Sequence, residues 1–431
     1  MTVVGLDDTD SREAGMCTTY VASQIADRLA EHGHVERLVL VRCNPAVEYK
    51  TRGNAALAIH TDCEPATALE LGTAVLDELA ITADEATNPG LVVADHALER
   101  ERSSGRAEIP GAVTNFALAA IRDHLSIAEA GALIDEQGYR SVHRGDGRGR
   151  IGALAAIGAW HALDDWTYER IAYRERSRWG TPRAVEAASV LAAADDAYPR
   201  VWDTVDRGSD ELVCVPHTPG PVLFGIRGDD PDAVDAVADA IESEPVAASR
   251  RFVTNQGTDV HLRKGRLGAL ADGRAYRVDG VVADGPETRR GGHVFVPIVD
   301  ADGEHRTPCV AFEPTKRFRD RVRALRPGDH LTVCGERSRG TIKLEKFAVR
   351  ELRRYERVTP TCPECQRTME SAGRGQGYRC RSCGTERPDR ERVAMERALE
   401  PGWYEVPPRA RRHVAKPLVR GGFDAPTHPE R

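Results

Sequence analysis

Three aspartates follow the first apolar segment of the chain. Residues 2–6 (TVVGL) have the composition of a buried strand, and Asp7, Asp8 and Asp10 come directly after it. Carboxylates this close together repel one another unless a cation lies between them, and Mg²⁺ held with substrate phosphates is a common occupant of such sites. Ligands of α/β sheets bind outside the carboxyl ends of strands, where these aspartates lie. The cluster therefore predicts a catalytic magnesium and phosphate site, with an exposed acidic turn as the alternative.

Two further segments have the composition of phosphate-binding loops. Lys50, Arg52 and Gly53 lie between two apolar stretches, and this lysine is the only one in the first 263 residues. We interpret the segment as a triphosphate contact, with a surface salt bridge as the alternative. Residues 147–152 (GRGRIG) lead into an apolar, helix-like run, and glycine amides at a helix N-terminus bind anions. The glycines of this motif are Gly147, Gly149 and Gly152. No strand clearly precedes them, which favours an anion loop over a dinucleotide site.

Thr18 begins an amphipathic segment that predicts a helix over residues 18–32. A hydroxyl at this place normally caps free N–H groups. The same place would also stabilise a phosphate carried by that hydroxyl. The residues alone favour capping.

Two Cys-x-x-Cys pairs separated by 14 residues are typical of a zinc site. Their members are Cys362, Cys365, Cys380 and Cys383. Four thiolates complete a tetrahedron and leave no open position, so the site is expected to be structural, with a redox dithiol pair as the alternative. Between the pairs, residues 373–379 combine turn glycines with Arg374, Tyr378 and Arg379, which suits stacking on a base and pairing with phosphates.

The composition indicates several domains and a polyanionic partner. A chain of 431 residues exceeds one usual core. Its net charge is −7, but residues 351–431 carry +5, which suggests nucleic-acid binding by the C-terminal part. Only six of the 60 basic residues are lysines, a pattern that fits either a high-salt cytoplasm or codon bias. No apolar run of about 18 residues and no signal peptide are visible, so we expect a cytoplasmic protein without a membrane partner.

The order of apolar segments predicts an α/β multidomain fold. Strands and helices alternate over residues 1–160, as in an α/β domain. Residues 161–270 follow the order βαββαβ of a ferredoxin-like unit. Five short strands over residues 275–350 favour an OB-like β-barrel, with an unrelated small barrel as the alternative. Residues 355–388 form the zinc ribbon, and the basic tail over 389–431 is expected to be disordered unless RNA is bound.

Several motifs together resemble a known family, the archaeal tRNA-Ile 2-agmatinylcytidine synthetases. The segments that carry the resemblance are GLDDTDS (5–11), GMCTTY (15–20), Cys43-Asn44-Pro45, KTRGNAA (50–56), GRGRIGALAAIG (147–158), IAYR (171–174), WGTPR (179–183), GIRG (225–228) and TNQGTD (254–259). The resemblance extends over essentially the whole chain. It implies an ATP-dependent ligase that joins agmatine to C2 of the wobble cytidine in tRNA-Ile with a CAU anticodon, which changes codon reading from AUG to AUA.

The resemblance also implies roles for particular residues. Phosphorylation of the cytosine C2 oxygen would make it a leaving group, which the amine of agmatine displaces, while ATP ends as AMP and two phosphates. Residues 1–160 would then be a kinase-like catalytic domain, in which Asp7, Asp8 and Asp10 hold Mg²⁺ and ATP and Thr18 is itself phosphorylated. Lys50, Arg52 and Gly53 match the family stretch that contacts phosphates.

No motif in the sequence marks the agmatine site. Agmatine carries two positive charges, so its pocket requires carboxylates, for which Asp203, Asp206 and Asp259 are candidates.

Two other functions fit parts of the sequence. A non-enzymatic single-strand binder built on the barrel and ribbon would leave the first 270 residues without a purpose. A haloacid-dehalogenase phosphatase would use Asp8 and Asp10, but Arg12 stands where that family requires Thr or Val.

Overall fold

The computed structural model describes residues 1–11, 15–50, 54–95 and 109–431. Its N-terminal part contains five strands and five helices among these residues. The strands are β1 (Thr2–Asp7), β2 (Val35–Arg42), β3 (Ala55–Thr61), β4 (Gly90–Asp95) and β5 (Arg140–His143). The helices are α1 (Thr18–Ala30), α2 (Pro65–Leu79), α3 (Gly111–Arg122), α4 (Ile127–Glu136) and α5 (Gly149–Ala162). Successive strand residues point to opposite faces, so Val3 packs with α3, α4 and α5 while Val4 packs with α1 and α2.

The middle part adds four strands of an antiparallel sheet and two helices. Its elements are β6 (Thr167–Arg174), α6 (Ala187–Ala197), β7 (Val201–Trp202), β8 (Val205–Asp206), β9 (Glu211–Leu212), β10 (Val222–Gly228), α7 (Pro231–Ala240) and β11 (Val246–Thr254). In space the strands follow the order β11-β6-β10-β7, with α6 and α7 on the chain crossovers. This arrangement is the ferredoxin-like unit predicted from the sequence. The small β8–β9 hairpin is an addition that the sequence did not indicate.

One sheet joins the first two parts. Within the described residues it has nine strands in the order β5-β4-β1-β3-β2-β11-β6-β10-β7. The junction is short, since β2 and β11 pair in parallel only at Val39 with Val253 and at Leu40 with Thr254. Asn255 extends the junction, because its side chain accepts from the Arg42 backbone N–H at 2.7 Å and donates to the Arg42 carbonyl at 3.1 Å. These few hydrogen bonds act together with a shared core, in which Tyr173 and Phe252 pack with side chains of β1 and α1.

The next part is a closed five-stranded barrel. Its elements are β12 (Leu262–Lys264), β13 (Arg274–Val282), β14 (Glu287–Thr288), β15 (Val294–Val299), β16 (Arg306–Ala311), α8 (Phe318–Arg323), β17 (His330–Ser338) and β18 (Thr341–Glu351). The barrel closes in the order β13-β15-β16-β18-β17-β13, and α8 lies between its third and fourth strands in the chain. These five strands match those predicted from the sequence, and their order is that of an OB-fold.

The ribbon stands on a two-stranded stalk. The stalk strands are β19 (Tyr355–Val358) and β23 (Glu391–Ala394), and between them lie β20 (Glu370–Ser371), β21 (Tyr378–Arg379) and β22 (Glu386–Arg387). Neither of these two small sheets shares a strand pair with the barrel.

The C-terminal segment is folded, which corrects the expectation of a disordered tail. Strand β24 (Gly402–Glu405) pairs with β18, and β25 (Thr427–His428) pairs with β24. Trp403 and Leu418 are almost fully buried in a small core against the barrel. The expectation rested on the prolines and arginines of the tail and gave too little weight to its tryptophan, tyrosine and leucine side chains, whose burial stabilises the docked segment.

Three elements of the N-terminal part were absent from the sequence prediction: α3, α4 and β5. For α4 a signal existed, because Ser126 and Glu129 form a capping box, which is a recognisable pattern at a helix start. None of the helices described is long and apolar enough to span a bilayer.

Candidate active site

A cavity of about 460 Å³ lies where the N-terminal unit, the ferredoxin-like unit and the C-terminal segment meet. Its lining includes Asp7, Asp8, Asp10, Thr18 and Lys50, which the sequence argument had selected. The fold explains their convergence: β1 ends at Asp7, α1 begins at Thr18, and the Lys50 segment precedes β3, the neighbour of β1. The neighbours of β1 are antiparallel, so the aspartates meet the N-terminal ends of β3 and β4 rather than a row of carboxyl ends.

The aspartates are held by backbone contacts. The Asp8 backbone N–H donates to Asp7 Oδ1 at 2.7 Å, and Asp8 Oδ2 accepts from the Asn88 backbone N–H at 3.0 Å. Asp8 has φ +60°, a left-handed conformation that a non-glycine residue adopts at some cost. The Asp10 carbonyl accepts from the Thr87 hydroxyl at 2.6 Å. These bonds fix the carboxylates of Asp7 and Asp8 and the backbone of Asp10 at the cavity floor.

Burial raises the pKa of Asp7 well above its ordinary value, and the negative charges of Asp8 and Asp10 raise it further. A cation placed among the three groups would reverse this effect and keep all of them ionised. Among the described residues, only the four cysteines of the ribbon are drawn together as a preformed metal cage, and the three aspartates are not. Oxygen donors spread along a cavity floor suit Mg²⁺, which keeps several waters and is shared with substrate phosphates.

The glycine motif positions the aspartates. A Cβ on Gly152 would lie 2.0 Å from Asp7 Oδ2, and a Cβ on Gly149 would lie 2.7 Å from the Asp7 carbonyl oxygen. The two glycines therefore allow the first turn of α5 to pack directly against the end of β1. Gly149 and Gly152 line the cavity, whereas Gly147, at φ +76°, packs against the His143 ring.

Thr18 is the first residue of α1 and lines the cavity. The N-cap residue is Cys17, and its side chain makes no capping hydrogen bond. The Thr18 hydroxyl is not at the capping position, so the capping interpretation that the residues alone favoured is wrong. A group attached to this hydroxyl would lie at the positive end of the helix dipole.

Cationic and aromatic groups line the side of the cavity near Lys50. The Lys50 ammonium donates to the Pro45 carbonyl. Arg148 lies over the Tyr49 ring at 4.8 Å and bonds its carbonyl at 3.1 Å, and Tyr49 is 43% exposed at the rim. Arg52 and Gly53 lie outside the described residues.

The opposite wall comes from the ferredoxin-like unit and contains residues that the sequence argument did not select. Glu169 on β6 is almost fully buried and accepts from Arg227 Nε at 3.0 Å and from the Gln256 amide. Arg42, at the end of β2, is also part of the lining, and burial lowers its pKa. Arg227 belongs to the GIRG motif, and Ile171 of the IAYR motif and Arg183 of the WGTPR motif also line the cavity.

The three aspartates considered for agmatine lie elsewhere. Asp203 is paired with Arg411, Asp206 with Arg317 at 2.8 Å, and Asp259 with Lys346 at 2.6 Å. None of the three is part of the cavity lining. The ion pairs hold the C-terminal segment and the barrel against the ferredoxin-like unit. In this geometry the three aspartates have structural partners, and their assignment to agmatine stays a prediction that the cavity does not support.

The four cysteines of the ribbon converge as the sequence predicted. All four Sγ atoms lie within 4.8 Å of one another, with Cys362 and Cys383 3.3 Å apart and Cys365 and Cys380 3.4 Å apart. The Cys365 backbone N–H lowers the pKa of Cys362 to about 6, which favours its thiolate. The donors fit a structural zinc ion and leave no position for a substrate.

Three family models match this chain in the order of its units. They are the TiaS TCKD domain over residues 3–64, the TiaS FLD domain over 147–261 and the TiaS C-terminal zinc ribbon domain over 359–399. The chain therefore has the architecture of TiaS proteins, with the cavity-forming units joined to a barrel and a ribbon.

Full-length relatives agree with the family models. A tRNA-Ile 2-agmatinylcytidine synthetase TiaS from Haloquadratum walsbyi is 52% identical, with 100% of both chains covered. The crystal structure of a complex of TiaS with its isoleucine tRNA and ATP is similar with a TM-score of 0.87 and 41% identity, covering 100% of this chain and 99% of that one. A complex of TiaS with the same tRNA, AMPCPP and agmatine has a TM-score of 0.85 and 39% identity, with the same coverage. This chain belongs to the TiaS family of tRNA-Ile 2-agmatinylcytidine synthetases.

Proposed function

We infer that this protein catalyses ATP-dependent transfer of agmatine to C2 of the wobble cytidine of tRNA-Ile. The observation that carries the inference is the cavity that brings Asp7, Asp8, Asp10 and Thr18 together in a chain that matches this family from end to end. The same reaction accounts for the barrel and the ribbon, which are RNA-binding types of module. Since its substrate is a tRNA, we expect the enzyme in the cytoplasm.

The reaction requires phosphoryl activation, which the cavity floor suits. The C2 oxygen of cytosine is a poor leaving group until it carries a phosphoryl group. Phosphoryl transfer depends on positioning and on cations that neutralise the developing charge. Asp7, Asp8 and Asp10 would hold Mg²⁺, which supplies that neutralisation. Lys50 and Arg148 line the same cavity and would contact the phosphates. Thr18 would accept a phosphoryl group on its hydroxyl.

Agmatine requires carboxylates, and three line the cavity away from the aspartate cluster: Asp123, Glu169 and Glu211. Asp123 already pairs with Arg263 and with Arg274. Glu169 already accepts from Arg227 and Gln256 in a buried position. Glu211 is about one third exposed and pairs with Arg409 at 2.5 Å. Agmatine and the Arg409 side chain both end in a guanidinium group, so agmatine can take the place of Arg409 beside Glu211. The exchange is feasible because a partly exposed ion pair of this kind contributes about 1 kcal/mol or less. We therefore assign the guanidinium of agmatine to Glu211.

The wobble base must enter the cavity from outside. A base leaves its stack at a cost of a few kcal/mol, which stacking on protein groups offsets. Tyr49 and Arg148 form an exposed stacked pair at the rim that can receive the base. The barrel and ribbon would bind the flanking nucleotides.

The central test replaces the carboxylates without changing their size. In Asp8→Asn and in Asp10→Asn, we expect incorporation of labelled agmatine into tRNA-Ile to fall at least about 100-fold, because the phosphates lose their cation. Binding of tRNA should be largely unchanged, since the barrel and ribbon are distant in the chain. Asp164→Asn, at an exposed position, is the matched control. Wild-type incorporation in either variant would contradict the metal assignment. Mass analysis of the tRNA after reaction with ATP and agmatine identifies the product.

A further inference from the structure

The C-terminal segment is a fixed part of the cavity wall. After β24 the chain crosses from the barrel to the ferredoxin-like unit, and Arg409 and His413 reach the cavity. Arg411 anchors this crossing, because its buried guanidinium pairs with Asp203 on one side and with Glu405 at 2.8 Å on the other. An extended segment that is tied to both units can hold a side chain in one place.

The backbone around His413 is fixed by the loop after β11. The Gly257 N–H donates to the His413 carbonyl at 2.7 Å, and the Asp259 N–H donates to the Val414 carbonyl at 3.0 Å. The Lys416 N–H donates to Asp259 Oδ1 at 2.7 Å. Val414 and Ala415 are buried, while the His413 side chain is accessible within the cavity. The imidazole is therefore presented to the cavity on a rigid support.

The surroundings of His413 favour its neutral form. The enclosing protein lowers its pKa well below the ordinary value, and the positive charges of Arg227 and Arg42 lower it further. A neutral imidazole has a nitrogen that accepts a proton. Glu169, the carboxylate of the same wall, already accepts from Arg227 and Gln256 and is less available for that task. An anionic phosphate entering the cavity would raise the pKa of the imidazole again and strengthen it as a base.

The agmatine-transfer step releases a proton that needs an acceptor. The ammonium of agmatine first loses one proton to water. The free amine nitrogen then forms a bond to C2, the bond between C2 and the phosphorylated oxygen breaks, and phosphate leaves with that electron pair. The nitrogen becomes strongly acidic as it attacks, so a weak base is sufficient to remove one N–H proton. We propose that His413 contacts the primary amine of agmatine and accepts this proton, which then passes to the departing phosphate or to water. The proposal rests on the agmatine-transfer function inferred above.

Two substitutions at His413 test the proposal. In His413→Gln, agmatine incorporation is expected to fall about 10²–10⁴-fold, the usual contribution of a proton-accepting side chain. Conversion of ATP to AMP and binding of tRNA should stay near wild-type values, and the loss should lie in kcat rather than in KM for agmatine. His413→Ala leaves a space that opens to the cavity, so added imidazole should restore part of its activity. A residue that only supported the wall would show no such rescue.

The control is His428→Gln, in the same C-terminal segment but with its ring stacked on Tyr404. It should transfer agmatine at the wild-type rate. Wild-type transfer by His413→Gln, or failure of imidazole to restore a His413→Ala protein that still cleaves ATP, would overturn the proposal. Absence of incorporation by the wild-type enzyme would instead contradict the proposed function itself.

Discussion

At the scale of residues, the site is divided between groups that are adjacent in the chain and groups that folding brings together. Asp7, Asp8 and Asp10 are neighbours, and their spacing alone indicates a cation site. Glu169, Arg227 and His413 come from three distant segments, and no local pattern relates them. Only Arg227, within its glycine-flanked motif, carried a recognisable signal. A single sequence therefore predicts the side of the cavity that we propose for phosphates better than the side that we propose for the amine.

If Glu211 binds agmatine, substitutions of Glu211 and of its partner Arg409 should change KM for agmatine in different ways. Glu211→Gln removes the charge that would bind the guanidinium of agmatine, so KM for agmatine should rise about 10-fold, with little change in kcat. Arg409→Gln removes the guanidinium that competes for Glu211, so KM should fall or stay unchanged. Steady-state kinetics with saturating ATP and tRNA measure both. An equal rise of KM in the two variants would mean that the intact ion pair supports the wall and does not exchange with agmatine.

At the scale of elements, the junction between β2 and β11 sets the two walls of the cavity. Asn255 connects the ends of these strands by two backbone hydrogen bonds. Its neighbour Gln256 donates to Glu169, and Thr167 donates to the Gln256 carbonyl at 2.8 Å. The TNQGTD motif is thus explained by architecture: its polar side chains satisfy backbone groups at the junction.

Removal of the Asn255 side chain should loosen this junction. In Asn255→Ala, two buried backbone groups lose their partners, and we expect a loss of about 2 kcal/mol in local stability. Hydrogen exchange should speed up at the end of β2 and in the loop after β11, and agmatine incorporation should fall with it. Asn115→Ala, on the exposed face of α3, is the control. Unchanged exchange in Asn255→Ala would show that the two paired residues of β2 and β11 are sufficient.

Elements that form from their own local sequence were predicted, whereas elements that depend on a distant partner in the chain were not. The five barrel strands were predicted because each has its own apolar run between turn residues. The docking of residues 402–428 was missed because it depends on a distant partner: β24 adds to β18, and Arg411 is neutralised by Asp203 from another unit. The same long-range pairing applies to Asp203 and Asp259, which the sequence offered as ligand groups and which the fold pairs with Arg411 and Lys346. Their charge was visible in the sequence, but their partners were not.

At the scale of the whole molecule, the cavity proposed for catalysis and the ribbon proposed for RNA binding lie in separable parts. The cavity lies between the first two units, with a contribution from the C-terminal segment. The ribbon is attached through the β19–β23 stalk and shares no strand pair with the barrel. Its own core among the described residues is small, consisting of Cys362, Met369 and Cys380 with Cys365 and Tyr378 packed against them. A core of this size requires the metal for stability.

This separation predicts unequal effects of zinc loss. Cys380→Ser removes one of four thiolates, so the ribbon should lose its zinc and unfold, while the cavity keeps its geometry. Affinity for tRNA-Ile should fall more than ATP turnover, and agmatine incorporation should fall with the affinity. Binding should be measured over a series of salt concentrations, since the ribbon has arginines whose phosphate contacts would steepen the salt dependence. Ser382→Ala, between Cys380 and Cys383, is the control. Equal loss of tRNA binding and of ATP turnover would mean that the ribbon supports the whole fold and is not a separate RNA-binding module.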